Sequence, residues 1–347
     1  MAPSLIIMKP GHPTQDGVLQ LIDQPAPTAG PGQVVVRMTM AAVNPADGFT
    51  VMGVYPGVRH VNEKSYPFVP GLEGVGVVES IGTGVTKVYV GQRVVPVPGS
   101  EAGTWGAFLR LPSQDMVVPI PDGLRDEHAA QLFVNPLTAY GMLDDCIAAQ
   151  ESSEDWIIQT AATSTLGRMF IGMAKDKGVK VLNVVRRPDA VAEIMDEYKG
   201  DACVVFDQGA DGAIFQDQVK RITKGARIAA VVDAVGGDTG SEAIKAMGPR
   251  GTFFGYGLQC GEPLQVDTVE LIFKDIKVHG WWLNTWFQKN PVHSQEVIGN
   301  MIQSMVDGKV SPEIGPIVPI EDFPAAMRYL YEKGRKGKVL LKHASKN

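Results

Sequence analysis

From about Arg125 to Gly280 the sequence alternates short, nearly continuous apolar runs with helix-length amphipathic segments, and few architectures satisfy that pattern. The runs Trp156–Gln159, Val179–Val185, Ala202–Phe206, Ile228–Val235 and Gly251–Gly255 read as strands. Between them, Thr165–Lys177 and Pro188–Tyr198 repeat apolar residues at helical spacing. Strands that are apolar on both faces and separated by helices predict a parallel sheet covered on both sides. Such a doubly wound α/β sheet binds its ligands at the carboxyl ends of the strands.

The flanking sequence has a different rhythm. Up to about residue 125, short β-branched runs (Gln33–Met38, Gly74–Ile81, Gln92–Val97) alternate with Pro/Gly punctuation, as β-rich folds with tight corners require. After Trp281 come two helix candidates, Ser294–Val306 and Ile320–Glu332, and a final apolar strand, Lys338–Leu341. A lone strand completes no sheet of its own, so this tail is expected to rejoin the N-terminal part. The predicted organisation is a β-rich domain of residues 1–127 and 281–347 with a dinucleotide-type domain, 128–280, inserted into it.

At 347 residues, with 44% hydrophobic and 20% charged composition, the chain is large enough for a core in each domain. A formal charge of −6 without any Lys/Arg-dense block argues against nucleic acid or an anionic membrane as partner. Cys146, Cys203 and Cys260 are odd in number and widely spaced, which fits neither a disulfide framework nor a zinc cluster. The N-terminus lacks a signal-peptide pattern, and no stretch approaches the roughly 20 apolar residues of a membrane span. A cytoplasmic location is expected.

The first strand of the alternating region is followed by Ala161-Ala162-Thr163-Ser164-Thr165-Leu166-Gly167-Arg168 at a helix start. Small residues let backbone approach a pyrophosphate, and the helix start offers unpaired N–H groups. Only Gly167 of the usual glycines is present, so the pattern by itself is equally that of an ordinary turn. Its position after the first strand selects the cofactor reading. The second strand ends in Arg186-Arg187, with no acid before Asp189. An acid there would take a ribose 2′-hydroxyl, whereas arginine accommodates a 2′-phosphate, so NADPH is the expected cofactor. Gly255 and Tyr256, after the fifth strand, are further candidates for lining the cofactor; a simple turn explains them nearly as well.

Four segments carry a family resemblance. Asn44-Pro45-Ala46-Asp47, Pro70-Gly71-Leu72-Glu73-Gly74-Val75-Gly76-Val77-Val78, Asn135-Pro136-Leu137-Thr138-Ala139-Tyr140 and Gly337-Lys338-Val339-Leu340 resemble, in order, the medium-chain dehydrogenase/reductases. The resemblance implies a GroES-like β-rich catalytic domain beside a Rossmann domain. Zinc-dependent members carry Cys near the Asn44 position and His where this chain has Leu72; both are missing, as are the four structural cysteines. The six histidines are scattered, and a catalytic zinc needs three protein ligands. Without a Lewis acid, carbonyl–alcohol interconversion loses its electrophile. Zinc-free relatives reduce activated C=C bonds or quinones.

Within that branch, Gly53-Val54-Tyr55-Pro56, Gly103-Thr104-Trp105-Gly106 and Ile272–Ile276 continuing to Gly280-Trp281-Trp282-Leu283 look like the 2-enoyl thioester reductases. The resemblance implies that Tyr55 assists proton delivery, that Trp282 lines an acyl pocket, and that Asn44 and Thr138 approach the nicotinamide. Read without it, Tyr55 and Trp282 are packing aromatics, and Asn44 and Thr138 are caps. The segment Gly57–Val69 is longer than expected for the mitochondrial reductases, which leaves acyl chain length open. The expected activity is NADPH-dependent reduction of an enoyl thioester carried on CoA or acyl carrier protein. Two alternatives stand beside it: a quinone or α,β-unsaturated ketone reductase, and a crystallin-like NADPH-binding protein without turnover. The apolar strand Ile276–Leu283 is a candidate sheet edge, which would be buried in a homodimer.

Overall fold

The computed structural model describes residues 1–55, 66–97 and 103–344. Most of the long segment Gly57–Val69, residues 57–65, and Pro56 lie outside the described residues. The chain divides into two units, residues 1–134 with 298–347, and residues 135–297. The division falls at 134/135 and 297/298, each inside a helix.

The first unit holds β1 (Ala2–Ile7), β2 (Leu19–Gln24), β3 (Val34–Ala42), α1 (Pro45–Val51), β4 (Gly74–Ile81), β5 (Arg93–Pro96), β6 (Phe108–Leu111), β7 (Val117–Pro119) and α2 (Asp126–Ala129). Helix α3 (Val134–Ala148) opens at its end. The second unit runs through β8 (Trp156–Gln159), α4 (Thr165–Asp176), β9 (Lys180–Val185), α5 (Ala190–Ala192), β10 (Ala202–Val205), α6 (Gly212–Thr223) and β11 (Ile228–Asp233). It continues with α7 (Gly237–Ala246), β12 (Thr252–Gly255), α8 (Thr268–Lys274), β13 (Lys277–Gly280), α9 (Leu283–Lys289) and the start of α10 (Pro291–Val306). The chain then returns to the first unit as β14 (Ile314–Pro319), α11 (Phe323–Leu330) and β15 (Lys338–Lys342).

In the second unit the strands pair in parallel in the order β10-β9-β8-β11-β12-β13. Burial follows position in the sheet: all six residues of central β11 are buried, whereas all four of edge strand β13 are exposed. Central strands covered on both faces can be apolar throughout, and an edge cannot. β11 stops at Asp233 because that carboxylate turns back to accept the N–H groups of Val235 and Gly236.

The first unit is a mixed sheet, ordered β14-β15-β3-β4-β5-β7 with β6 also on β3. β15 lies antiparallel to β3, with Leu340 opposite Ala42, so the tail completes the N-terminal sheet as expected. Its core gathers Leu5, Ile7, Val43, Trp105, Met327 and Leu341.

Two expected helices differ. Pro188–Tyr198 forms only the short α5 and then a wider turn over Glu193–Glu197, closed by Tyr198 N–H on the Glu193 carbonyl. This path keeps Ala190 and Ile194 in the core with Ala162 and Val185 while Glu193 reaches Arg168. Ile320–Glu332 splits into a 3₁₀ turn, Ile320–Asp322, and α11, because Pro324 sets a helix start there. Among the described residues, no helix is long and apolar enough to cross a membrane.

Candidate active site

The residues singled out from the sequence separate into two groups, one in each unit. Asn44 and Tyr55 belong to the first. Asn44 precedes α1, whose start is set by Pro45 and by the Asp47 carboxylate, which accepts the Asn44 N–H at 2.7 Å. The other Asp47 oxygen accepts the Leu72 N–H at 3.0 Å, so one buried side chain ties α1 to the loop before β4. At the far end of α1 the N–H groups of Val54 and Tyr55 both donate to the Phe49 carbonyl, at 3.0 and 3.3 Å. Tyr55 is half-buried there.

Beneath α1 lies a charge cluster that the sequence reading left unassigned. The Lys338 ammonium donates to the Glu73 carboxylate at 2.8 Å and to the Asn44 side-chain oxygen at 2.5 Å. The Asn44 amide in turn donates to Glu73 at 3.2 Å. The second Glu73 oxygen accepts the N–H groups of Phe133 and Val134, at 3.1 and 2.8 Å. Asp47 and Glu73 are 0% exposed, Asn44 1% and Lys338 5%. Asn44 is thus a hub whose oxygen and one amide hydrogen are already used. Burial raises the Asp47 carboxyl from 3.8 to about 7 against the Asn44 hydrogen bonds, which lower it; Glu73 adds to the rise and Lys338 opposes it. A lone lysine opening the apolar strand KVLLK was the available sequence signal.

Around the cluster, Gly103 shows why the Gly-Thr-Trp-Gly run has its composition. A Cβ there would stand 1.9 Å from the Pro70 carbonyl oxygen, so only glycine lets these loops close. Thr104 then donates to the Glu73 carbonyl at 2.9 Å, and the Trp105 indole N–H reaches the Ala42 carbonyl at 3.3 Å.

The second group lies in the other unit. Ser164 caps α4, accepting the Gly167 N–H at 3.0 Å; Thr163 lies in the turn between β8 and that helix, and Thr165, Leu166 and Gly167 open the helix itself. A Cβ on Gly167 would meet the Ala162 and Ala161 carbonyl oxygens at 2.7 and 2.8 Å, which explains why this glycine is kept where others are replaced. Arg186 and Arg187 follow β9 and are exposed; Arg187 is 3.6 Å from Asp189. The loop, the capped helix start and the two exposed arginines after β9, Arg187 beside Asp189, fit a dinucleotide with a 2′-phosphate. Gly255 ends β12, and the Tyr256 N–H donates to the Asp233 carbonyl at 2.8 Å. Burial, with Asp233 reinforcing it, pushes the Tyr256 phenol up. Thr138 lies in α3 and is buried.

The adjacent tryptophans divide their duties. Trp281 is buried, with its indole N–H on the Asp145 carboxylate at 2.7 Å and its ring against Gly141. Trp282 precedes α9 and is 42% exposed. Among the described residues, no group of three or more His, Cys, Asp or Glu side chains is arranged to hold a metal.

A two-unit chain with a capped dinucleotide loop in its inserted unit is a nucleotide-dependent oxidoreductase by architecture, and the comparisons define the class. Residues 30–122 match the alcohol dehydrogenase GroES-like domain and residues 165–302 the zinc-binding dehydrogenase domain. The mitochondrial enoyl-[acyl-carrier-protein] reductase of Arabidopsis thaliana is 32% identical over 98% of this chain and 88% of its own length. A putative NADPH:quinone reductase of Bacillus thuringiensis superposes with a TM-score of 0.84 at 27% identity, over 98% of each chain. A mycobacterial protein solved with NADPH gives 0.82 at 25% identity, over 99% of this chain and 100% of that one. The chain belongs to the medium-chain dehydrogenase/reductases, in the group that includes the enoyl-acyl-carrier-protein reductases.

Proposed function

We propose that this chain is an NADPH-dependent reductase of the C=C bond of 2-enoyl thioesters, carried on CoA or acyl carrier protein. The observation that carries the reading is a pairing of parts: a phenol, Tyr55, held at the end of α1, and a capped nucleotide loop followed by Arg186 and Arg187 with no acid in their place. NADPH, when bound, supplies the hydride that reaches the β-carbon of the substrate. Arg186 and Arg187 bind the 2′-phosphate, and Thr163–Gly167 offer backbone N–H groups to the pyrophosphate. Tyr55 hydrogen-bonds the charge that develops on the thioester oxygen or delivers the proton to the α-carbon. Trp282 lines the acyl pocket. Asn44 acts mainly by bridging Lys338 and Glu73. The chemistry is zinc-independent in this reading, because an amide (Asn44) and an alkyl chain (Leu72) stand where zinc-dependent relatives place ligands.

The quinone reductases among the structural neighbours favour a second reading, reduction of quinones or α,β-unsaturated ketones. NADPH oxidation with crotonyl-CoA and with a quinone, in wild type and Tyr55→Phe, separates the two. Thioester turnover that collapses in the variant supports the first reading. Quinone turnover alone, indifferent to Tyr55→Phe, replaces it with the second, and no turnover on either leaves a cofactor-binding protein.

The proposal includes a homodimer built on edge strand β13. Val278 and Trp282 are 39% and 42% exposed, and Ile272 and Phe273 of neighbouring α8 are 65% and 80% exposed. β13 itself is Lys-Val-His-Gly, but an open edge flanked by exposed apolar side chains is ordinarily covered. A monomer by light scattering would refute it. Three free cysteines fit a reducing compartment, here the cytoplasm, and cell fractionation would distinguish it from the mitochondrial location of the named relatives.

A further inference from the structure

The reaction assigned above uses Tyr55 but gives no role to the buried charges beneath α1. Asp47 stands beside the Glu73–Lys338 ion pair and is joined to it through Asn44, and all three charged residues are 5% exposed or less. A purely structural site is served at least as well by apolar side chains, because desolvating such charges costs more than their pairing returns unless every oxygen is satisfied. Here the oxygens are satisfied, and by backbone of chosen segments. Asp47 holds the N–H groups of Asn44 and Leu72; Glu73 holds those of Phe133 and Val134 and is held by Lys338 and Asn44. Every bond clamps the first turn of α1 or the loop before β4. From Asp47 the seven-residue α1 leads without a break to the Phe49 carbonyl that fixes the N–H groups of Val54 and Tyr55. A shift at the start of so short a helix is passed to its end.

We propose that Asp47, backed by the Glu73–Lys338 pair, is a positioning residue for the reduction, acting through α1 on Tyr55. The inference rests on the enoyl-reductase reading for its kinetic test, but not for its spectroscopic one. Ionised Asp47 accepts two N–H donors, and an asparagine in its place accepts one and opposes the other with its own N–H. The charged groups facing Asp47 are Glu73, from the loop before β4, and Lys338, from β15.

The experiment measures NADPH oxidation with crotonyl-CoA for Asp47→Asn, Lys338→Met, Lys338→Arg, Tyr55→Phe and the Asp47→Asn/Tyr55→Phe double variant. Alongside it, ¹⁹F NMR follows protein made with 3-fluorotyrosine, in which the Tyr55 resonance is the one lost in Tyr55→Phe. Asp47→Asn is expected to lower kcat by about 10–100-fold with the KM for NADPH unchanged. It is also expected to remove the limb of the kcat–pH profile near 7. The double variant is expected to be no slower than Tyr55→Phe alone, since both changes act on one group. Lys338→Met is expected to follow Asp47→Asn, and Lys338→Arg to keep most of the rate. The Tyr55 resonance moves in Asp47→Asn and stays in Lys338→Arg. Multiplying effects in the double variant, or a Tyr55 resonance unmoved by Asp47→Asn, overturn the proposal. If wild type fails to reduce crotonyl-CoA, the functional reading falls, and the resonance alone decides the positioning role.

Discussion

The two units differ in the polar groups that they keep at the candidate site. The first takes Asp47, Glu73 and Lys338 out of water and makes each depend on the others. The second, at the ends of its central strands, pairs neutral Gln159 with neutral Asn183 at 2.6 Å and Asp233 with the Thr160 hydroxyl at 2.6 Å. It displays its Arg186 and Arg187 charges outward. Both units use buried carboxylates to hold their own backbone, Asp233 and Asp155 in the second, and the second in addition keeps two arginines accessible for a phosphate. A single deletion should therefore damage the first unit's stability and the second unit's affinity.

The largest effect tests that contrast directly. Lys338→Met strands the buried Glu73 carboxylate and is expected to cost about 3–5 kcal/mol in urea unfolding. Next, Tyr55→Phe is expected to lower kcat with crotonyl-CoA by about a hundredfold while leaving the unfolding midpoint in place. Asn183→Leu in the second unit breaks a bond between uncharged groups and should cost about 1–3 kcal/mol, less than Lys338→Met; an equal cost would erase the distinction. Replacing Arg186 and Arg187 by Ala should raise the KM for NADPH about tenfold or more, leave that for NADH nearly unchanged, and leave stability intact.

The smallest net effect is expected in wild type, where two buried groups of the first unit oppose each other across acid pH. Asp47 is raised from 3.8 to about 7, so its contribution is full below pH 3.8 and is lost as pH rises through about 7. His343 is lowered from 6.5 to about 4 by burial, so its contribution is full above pH 6.5 and is lost as pH falls through about 4. Between about pH 4 and 6.5 the two slopes have opposite sign. Relative to wild type, Asp47→Asn should gain stability as pH rises through this window, and His343→Gln should lose relative stability. Parallel curves for all three proteins would show that neither group titrates as its burial dictates.

Legibility followed the same division. The second unit's strands β8 and β12 were readable to within a residue, because buried parallel strands are apolar end to end. The exception was Glu193–Glu197, where a distant partner, Arg168, decides the turn. In the first unit β4 was plain, but β1, β2 and β14 were not, since edge pairing leaves little periodic trace. Asn44 and Tyr55 were singled out by the family resemblance alone, and the cofactor loop by its position after the first strand. Asp47, Glu73 and Lys338 stood within quoted segments yet were passed over, because Glu73 and Lys338 are 265 residues apart in the chain and meet only in the folded unit. A tryptophan pair also could not be divided from sequence: only its packing shows that Trp281 is fixed to Asp145 and Trp282 is left outward.

That β15 both closes the first sheet and brings Lys338 to Glu73 has a consequence for how the chain is made. A ribosome delivers Glu73 early and its counter-ion late. At about 5–20 residues per second, the stretch of about 200 residues separating Val134 from Lys338 takes about 10–40 s to emerge. Once Gly280 has emerged, late in that interval, the inserted unit has all its strands, while the N-terminal segment still has Glu73 without its ammonium and a β3 edge without its partner. The inserted unit can therefore close its sheet before the unit that surrounds it can.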